Sequence, residues 1–319
     1  MNTQESLTYV RKNAAAALVK KYIPALVFLV LLLVSSLLSD AFFTSQNIFN
    51  LLRQLSGTTI ISMGMLMVIL TGGIDLSVGS VAAMTGVIFA YYLNSAGLGV
   101  ALLMTFACAA LTGLVTGYLV SFQNMAPFVA TLASMTATRG IAYIVSKGTP
   151  IQIKNPMVLA FGKGSLFRIP FPVITAALVF AAVAFVLHYT SFGRFVQAIG
   201  SNETAVKLSG VRVQYYKWTV YIIVSCLCAF AGIISDGRSG VGSANIGNGM
   251  ELDAIASCVI GGASLSGGKG SAANALMGVL ILGMIGNIMN LMNVAGYPQQ
   301  VIKGIIIVAA VLLQGNQKS

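Results

Sequence analysis

Gly72-Gly73-Ile74-Asp75-Leu76-Ser77-Val78-Gly79 lies between an apolar run at 57–71 and another at 78–93. Neither run carries a charged residue, and each falls short of the ~20 apolar residues that cross a bilayer comfortably. Segments of this kind belong in lipid. A glycine-rich break holding a lone carboxylate belongs where other helices shelter its backbone and its charge. The stretch therefore reads as two inserted helices joined by a turn inside a membrane bundle.

Outward from this stretch the pattern repeats. Further apolar runs at 23–39, 98–122, 127–145, 170–188, 218–234, 254–266, 271–292 and 297–314 bring the total to about ten spans, taking ~20 residues as the usual crossing length. The expected fold is all-α, a single polytopic transmembrane helix bundle over 1–319 with broken helices, preceded by a short segment at 1–22. Composition agrees: 57% of the chain is hydrophobic and 8% charged, against roughly a quarter charged in soluble domains, and the mean hydropathy is +0.90. No room is left for a large soluble domain. The net charge of +11 comes from Lys and Arg in the connections, a pattern that suits lipid head groups and topology rather than nucleic acid. Cys108, Cys226, Cys228 and Cys258 all lie in apolar stretches and read as small buried hydrophobes, not as a disulfide or metal set.

Arg11, Lys12, Lys20 and Lys21 precede the first run and place the amino terminus in the cytoplasm; an even number of spans returns Lys318 to the same side. The segment 189–217 is then cytoplasmic, with Arg194, Lys207, Arg212 and Lys217 against the single acid Glu203. The segment 146–170 falls outside. It carries Lys147, Lys154, Lys163 and Arg168 with no acid, which runs against the positive-inside rule. The amino-terminal flank takes precedence, and the four cations become candidates for docking an acidic extracytoplasmic partner.

Gly72 to Gly79 is echoed by Gly261-Gly262-Ala263-Ser264-Leu265-Ser266-Gly267-Gly268. Paired glycine-interrupted segments in two halves of a chain point to an internal duplication with broken helices near the pathway. Gly113 and Gly117 have the spacing that lets two helix backbones approach closely.

Catalytic signatures are missing. A phosphate-binding loop needs glycine five residues before its Gly-Lys pair and a hydroxyl after it; counting from Gly268-Lys269, Ala263 and Gly270 stand there instead. His188 has no carboxylate or thiol near it in sequence, and Tyr215, Tyr216 and Trp218 read as an interfacial belt. Asp75 with Ser77 either caps the helix that follows or lines a pathway. Glu251 and Asp253 present the same choice at the next helix start, and Asn245 and Asn248 before them suit an aqueous vestibule. Asn287, Asn290 and Asn293 recur every three residues; their amides suit a hydroxylated neutral solute and suit helix-to-helix bonding equally.

Ala198-Ile199-Gly200-Ser201-Asn202-Glu203-Thr204-Ala205-Val206-Lys207-Leu208-Ser209-Gly210-Val211, then Glu251-Leu252-Asp253-Ala254-Ile255-Ala256, then Gly261 to Gly270, resemble in that order the ribose/galactose/xylose branch of bacterial ABC-type sugar permeases. Gly72 to Gly79 resembles that family's early motif, nearest to its ribose-type members. The resemblance implies a ten-span permease of the bacterial inner membrane, working as a homodimer with a cytoplasmic ABC ATPase and an extracytoplasmic sugar-binding protein. It implies that Gly200, Asn202, Glu203, Ala205 and Gly210 belong to the segment coupled to the ATPase, and it calls for no cofactor. The rival reading is an ion-coupled secondary carrier, which would more naturally hold several buried carboxylates. An intramembrane enzyme is disfavoured, because no nucleophile, base or metal-ligand set clusters.

Overall fold

A computed structural model describes residues 24–315; the segment 1–22 and the placement of both termini lie outside them. The apolar helix α1 (Pro24–Leu38) leads into α2 (Ser45–Leu70), α3 (Val78–Ala96), α4 (Leu98–Ser121) and α5 (Pro127–Ser146). After a short α6 (Pro156–Lys163) come α7 (Phe171–Tyr189), two small helices α8 (Ser191–Ser201) and α9 (Glu203–Leu208), and the long α10 (Val213–Ser239). Helices α11 (Met250–Ile260), α12 (Ala272–Leu291) and α13 (Gly296–Gly315) complete the order.

Seven of these, α2, α3, α4, α5, α7, α10 and α12, are long and apolar enough to cross a membrane. The fold class is thus a helical membrane bundle, with seven span-length helices where ten runs were expected. The run at 254–266 is no single helix: α11 stops at Ile260 and a glycine turn follows. The run at 57–71 is only the second half of α2. Asn47, Asn50, Arg53 and Gln54 interrupt its apolarity but not its helicity, and Thr44 caps the true start by accepting the Asn47 N–H at 3.3 Å.

Helix α2 is buried around its whole circumference from Ile60 to Leu70 and apolar there except for Ser62, which places it at the centre. With α10 and α3 it forms the core. Helices α4, α5 and α7 form the rim and turn Leu103, Ile144 and Leu178 outward at 68%, 76% and 66% exposure, a surface that lipid satisfies. Gly113 and Gly117 of α4 lie directly on α10: an added Cβ would come 2.6 Å from Ile222 Cα and 2.9 Å from the Trp218 ring. Close approach is what their spacing called for.

Two ends of the bundle can be told apart. At one, β1 (Ile151–Gln152) pairs antiparallel with β4 (Val241–Gly242), and Asn94 Nδ2 donates to Gln152 O at 2.7 Å. The hairpin of β2 (Ser165–Leu166) and β3 (Ile169–Pro170) belongs to the same connection, and Arg53 Nη2 donates to Lys163 O at 3.2 Å. At the other end the turn after α2 meets the turn after α11, and α8 meets both.

Candidate translocation and coupling site

The two echoed stretches end their helices in the same way. Gly72 N–H donates to Ile69 O at 2.9 Å and Gly73 N–H to Val68 O at 3.1 Å; Gly262 N–H donates to Val259 O at 2.8 Å and Ala263 N–H to Cys258 O at 2.9 Å. These are Schellman turns, which need a left-handed residue after the helix. Gly72 and Gly262 supply it at φ +81° and +84°. The turns also touch, through Gly268 N–H donating to Leu70 O at 3.0 Å. Helix α8 seats on both: a Cβ on Gly200 would fall 1.9 Å from Leu70 O and 2.5 Å from Gly268 N.

Asp75 is 2% exposed. Its Oδ1 accepts from Ser77 N–H at 2.8 Å and from Ser77 Oγ–H at 2.6 Å, holding the start of α3. Both groups are committed to the turn.

Outside the bundle, α8 buries Val196 and Ile199. Asn202 caps α9 by accepting the Ala205 N–H at 3.0 Å. Glu203 pairs with Lys207 at 2.7 Å and with Lys217 at 2.5 Å. Burial works against the Glu203 carboxylate, but the hydrogen bonds and charges of Lys207 and Lys217 outweigh it and hold its pKa below the usual carboxylate range. Ala205 is exposed, Leu208 is 84% exposed, and Gly210 turns the chain at φ +83° with nothing nearby. An amphipathic pair of helices thus sits on the junction of two turns and shows an uncovered leucine.

At the opposite end Asn245 and Asn248 are exposed, and Tyr143 Oη donates to Asn245 Oδ1 at 2.7 Å. Sequence reasoning missed the residue that builds this corner. Arg139, in the middle of apolar α5, donates through Nε to Ser80 Oγ at 3.1 Å and through Nη1 to Ile246 O at 2.9 Å and to Ala244 O. Glu251 is buried nearby with Oε2 unpaired; a Cβ on Gly79 would lie 2.5 Å from that oxygen. Asp236 of α10 was also missed and is 1% exposed. A lone charged residue within an apolar run was the available signal for Arg139.

Asn287 and Asn47 exchange amide hydrogen bonds at 3.0 and 2.8 Å, joining α12 to α2. Asn290 accepts from Gln299 Nε2 at 2.8 Å. Lys147, Lys154, Lys163 and Arg168 are all exposed; Lys147 ends α5 in the left-handed region at φ 51° and Arg168 stands in the β2–β3 turn at φ 71°.

Span-length helices surround a buried α2, and a pair of surface helices is seated on two matched turns, the architecture of a helical membrane protein. The chain belongs to the family described as branched-chain amino acid transport system / permease component, whose model matches residues 47–311. It is 40% identical over 295 residues to the ribose import permease of Escherichia coli (strain K12), covering 91% of this chain and 92% of that one. Identity to the ribose import permease of Bacillus subtilis (strain 168) is 40% over 322 residues and covers 100% of each. An L-arabinose ABC transporter permease of Azospirillum brasilense is 35% identical over 297 residues, 92% of this chain and 87% of the relative. No solved structure matches significantly. The resemblance to ribose-type ABC sugar permeases read from Ala198 to Val211 and its companion motifs therefore holds.

Proposed function

We propose that this chain is the membrane-spanning permease subunit of an ATP-driven importer and carries a ribose-like monosaccharide across the bacterial inner membrane. The single observation that carries the reading is end-to-end identity at 40% with a ribose import permease. A cytoplasmic ATPase supplies energy, an extracytoplasmic binding protein delivers the sugar, and a second copy of the chain completes the pathway. Both termini and the α8–α9 pair face the cytoplasm. The sugar passes by alternating access, with no covalent chemistry in this chain.

Roles follow from placement. Gly200, Asn202, Glu203, Ala205 and Gly210 form the surface on which the ATPase pushes. Because α8 touches the turns after α2 and α11 without an intervening side chain, a push on α8 reaches two helix ends directly. Asn245 and Asn248 line the opposite mouth, Asn287 and Asn290 the pathway beside it, and Asp75 and Ser77 hold the turn at its inner end. Lys147, Lys154, Lys163 and Arg168 receive acidic patches on the binding protein, an attraction screened beyond about 8 Å at physiological salt.

The experiment is uptake of labelled ribose into vesicles holding the purified chain. Uptake is expected only when the ATPase subunit, ATP and binding protein are all added. Uptake by the chain alone, driven by a proton or sodium gradient, would establish the ion-coupled carrier instead.

A further inference from the structure

Helix α6 walls two cavities at once. Along its first turns, with α3, α4, α7 and α10, it borders a crevice of about 370 Å³ lined by apolar side chains that include Leu102, Phe106, Phe161, Phe230 and Ile233. At its last turn, with α2 and α10, it borders a polar pocket of about 270 Å³ lined by Asn50, Arg53, Gln54, Gly162, Lys163 and Arg238. The two are one helical turn apart on two helices: Val158 and Ile234 line the crevice, and Gly162 and Arg238, four residues further on, line the pocket.

The polar pocket gathers three cations and no acid. Arg53 is held in place by Asn50 Oδ1 at 3.4 Å and Lys163 O at 3.2 Å, so its charge cannot swing away. Lys163 and Arg238 remain exposed above it. Three cations brought together without a counter-charge call for an anion, and guanidinium groups suit the oxygens of a phosphate. The crevice calls for hydrocarbon, since a cavity with so little polar lining gives water nothing to bond. One ligand class offers both within this reach, because an anionic phospholipid joins a phosphate that guanidinium groups can hold to hydrocarbon chains that suit the crevice.

We propose that Arg53, Lys163 and Arg238, with the crevice beside α6, form a seat for one anionic glycerophospholipid, its phosphate on the cations and an acyl chain in the crevice. Of the four cations assigned to protein docking, Lys163 is the one that lines this pocket. Lipid retention is read without transport, so the inference stands or falls separately from the solute carried.

The test uses the full chain, purified in detergent and washed free of lipid, then titrated with palmitoyl-oleoyl phosphatidylglycerol or phosphatidylcholine and read by native mass spectrometry. Phosphatidylglycerol is expected to bind as a single tight copy and phosphatidylcholine much more weakly. Arg53→Gln/Lys163→Gln/Arg238→Gln should weaken retention about a hundredfold, from about fivefold per cation near an anionic group. Lys147→Gln/Lys154→Gln/Arg168→Gln, which removes equal charge from the same end, should leave it unchanged. Leu102→Trp, which fills the crevice and keeps every cation, should also weaken it. Should the first triple variant fail to fold, Arg53→Lys/Arg238→Lys keeps the charge and is expected to retain lipid within a few-fold while losing the bidentate fit. Equal loss in both triple variants, equal affinity for the two lipids, or unchanged retention in the pocket variant with loss of binding-protein docking would each overturn the proposal.

Discussion

The amide of Gly268 donates to the carbonyl of Leu70 at 3.0 Å, so the turn after α11 is bonded to the last residue of α2 across more than half of the sequence. Gly200 of α8 lies against both partners of that bond. A Cβ there cannot be absorbed by side-chain movement, because both neighbours are backbone. Gly200→Ala is expected to destabilise the protein by about 1–3 kcal/mol through overpacking and to make α8 accessible to protease. Gly140→Ala, where nothing lies within 4 Å, is the control and should be neutral or mildly stabilising. Thermal melts in detergent with limited proteolysis check both.

Ala205→Glu, Leu208→Asp and Gly210→Pro are expected to leave insertion and folding intact. The first two positions are exposed and the third has open space around it, although proline cannot adopt the φ of +83° found there and the turn must reshape. All three should reduce co-purification of the ATPase and ribose uptake at equal permease levels. Normal recovery of the ATPase in all three removes α9 and its turn from the coupling surface.

Asn287→Leu leaves the half-buried Asn47 Oδ1 without its donor, while Asn47 Nδ2 keeps its bond to Phe42 O at 2.9 Å, at a cost of about 1–3 kcal/mol. Replacing both with Leu removes the unpaired oxygen and the Phe42 bond together, and should cost less than the sum of the two single changes. A double-mutant cycle by thermal denaturation measures the coupling. Additive costs would show that the exchange at 3.0 and 2.8 Å contributes nothing to stability.

Arg139→Leu strips the corner of one cation and its bonds to Ser80, Ala244 and Ile246, and leaves Glu251 with no positive charge in attraction range. Leaving the Ser80 hydroxyl and the two loop carbonyls without their donor costs about 1–3 kcal/mol. The buried start of the 244–248 loop, at Ala244, should open to solvent. The readout is maleimide labelling of a cysteine placed at Ala244, expected to be fast in Arg139→Leu and slow in the parent, with total yield of folded protein reported alongside.

The Glu203 contacts carry a pH signature. A carboxyl held below its unfolded pKa adds stability above the ordinary carboxylate range and loses it as pH falls through the lowered value. Protection factors across 203–217, taken relative to the intrinsic exchange rate at each pH, should therefore be constant near neutrality and fall from about pH 4 downward. Glu203→Gln should show the lower protection at every pH and no acid transition of its own.

Apolarity located the helices but not their ends. Residues 78–93 and 98–122 were read almost as they stand in α3 and α4, since an uncharged run admits few other structures in lipid. The start of α2 was read late by twelve residues, because Asn47, Asn50, Arg53 and Gln54 look like a connection until the partners that satisfy them, Asn287 and the 163 carbonyl, are known. The likeness of Gly72 to Gly79 and Gly261 to Gly268 was legible, and it marked a shared turn geometry. That the two turns bond to one another was not, since the contact joins residues nearly two hundred positions apart. Arg139 escaped for the same reason: its value lies in the carbonyls of a distant loop.

Helices α2, α8 and α11 all run out at one place, where Gly200 meets Leu70 and the turn at 261–270. Each helix carries about half a negative charge at its carboxyl end from its aligned peptide dipoles. Their meeting gives that pole of the molecule a negative potential made of backbone, at the turn where the Lys269 carbonyl accepts Ser264 N–H at 2.8 Å. Exchanging side chains leaves such a potential in place. It disappears only when the helix ends separate, so any rearrangement that parts the two turns also switches off a local attraction for cations.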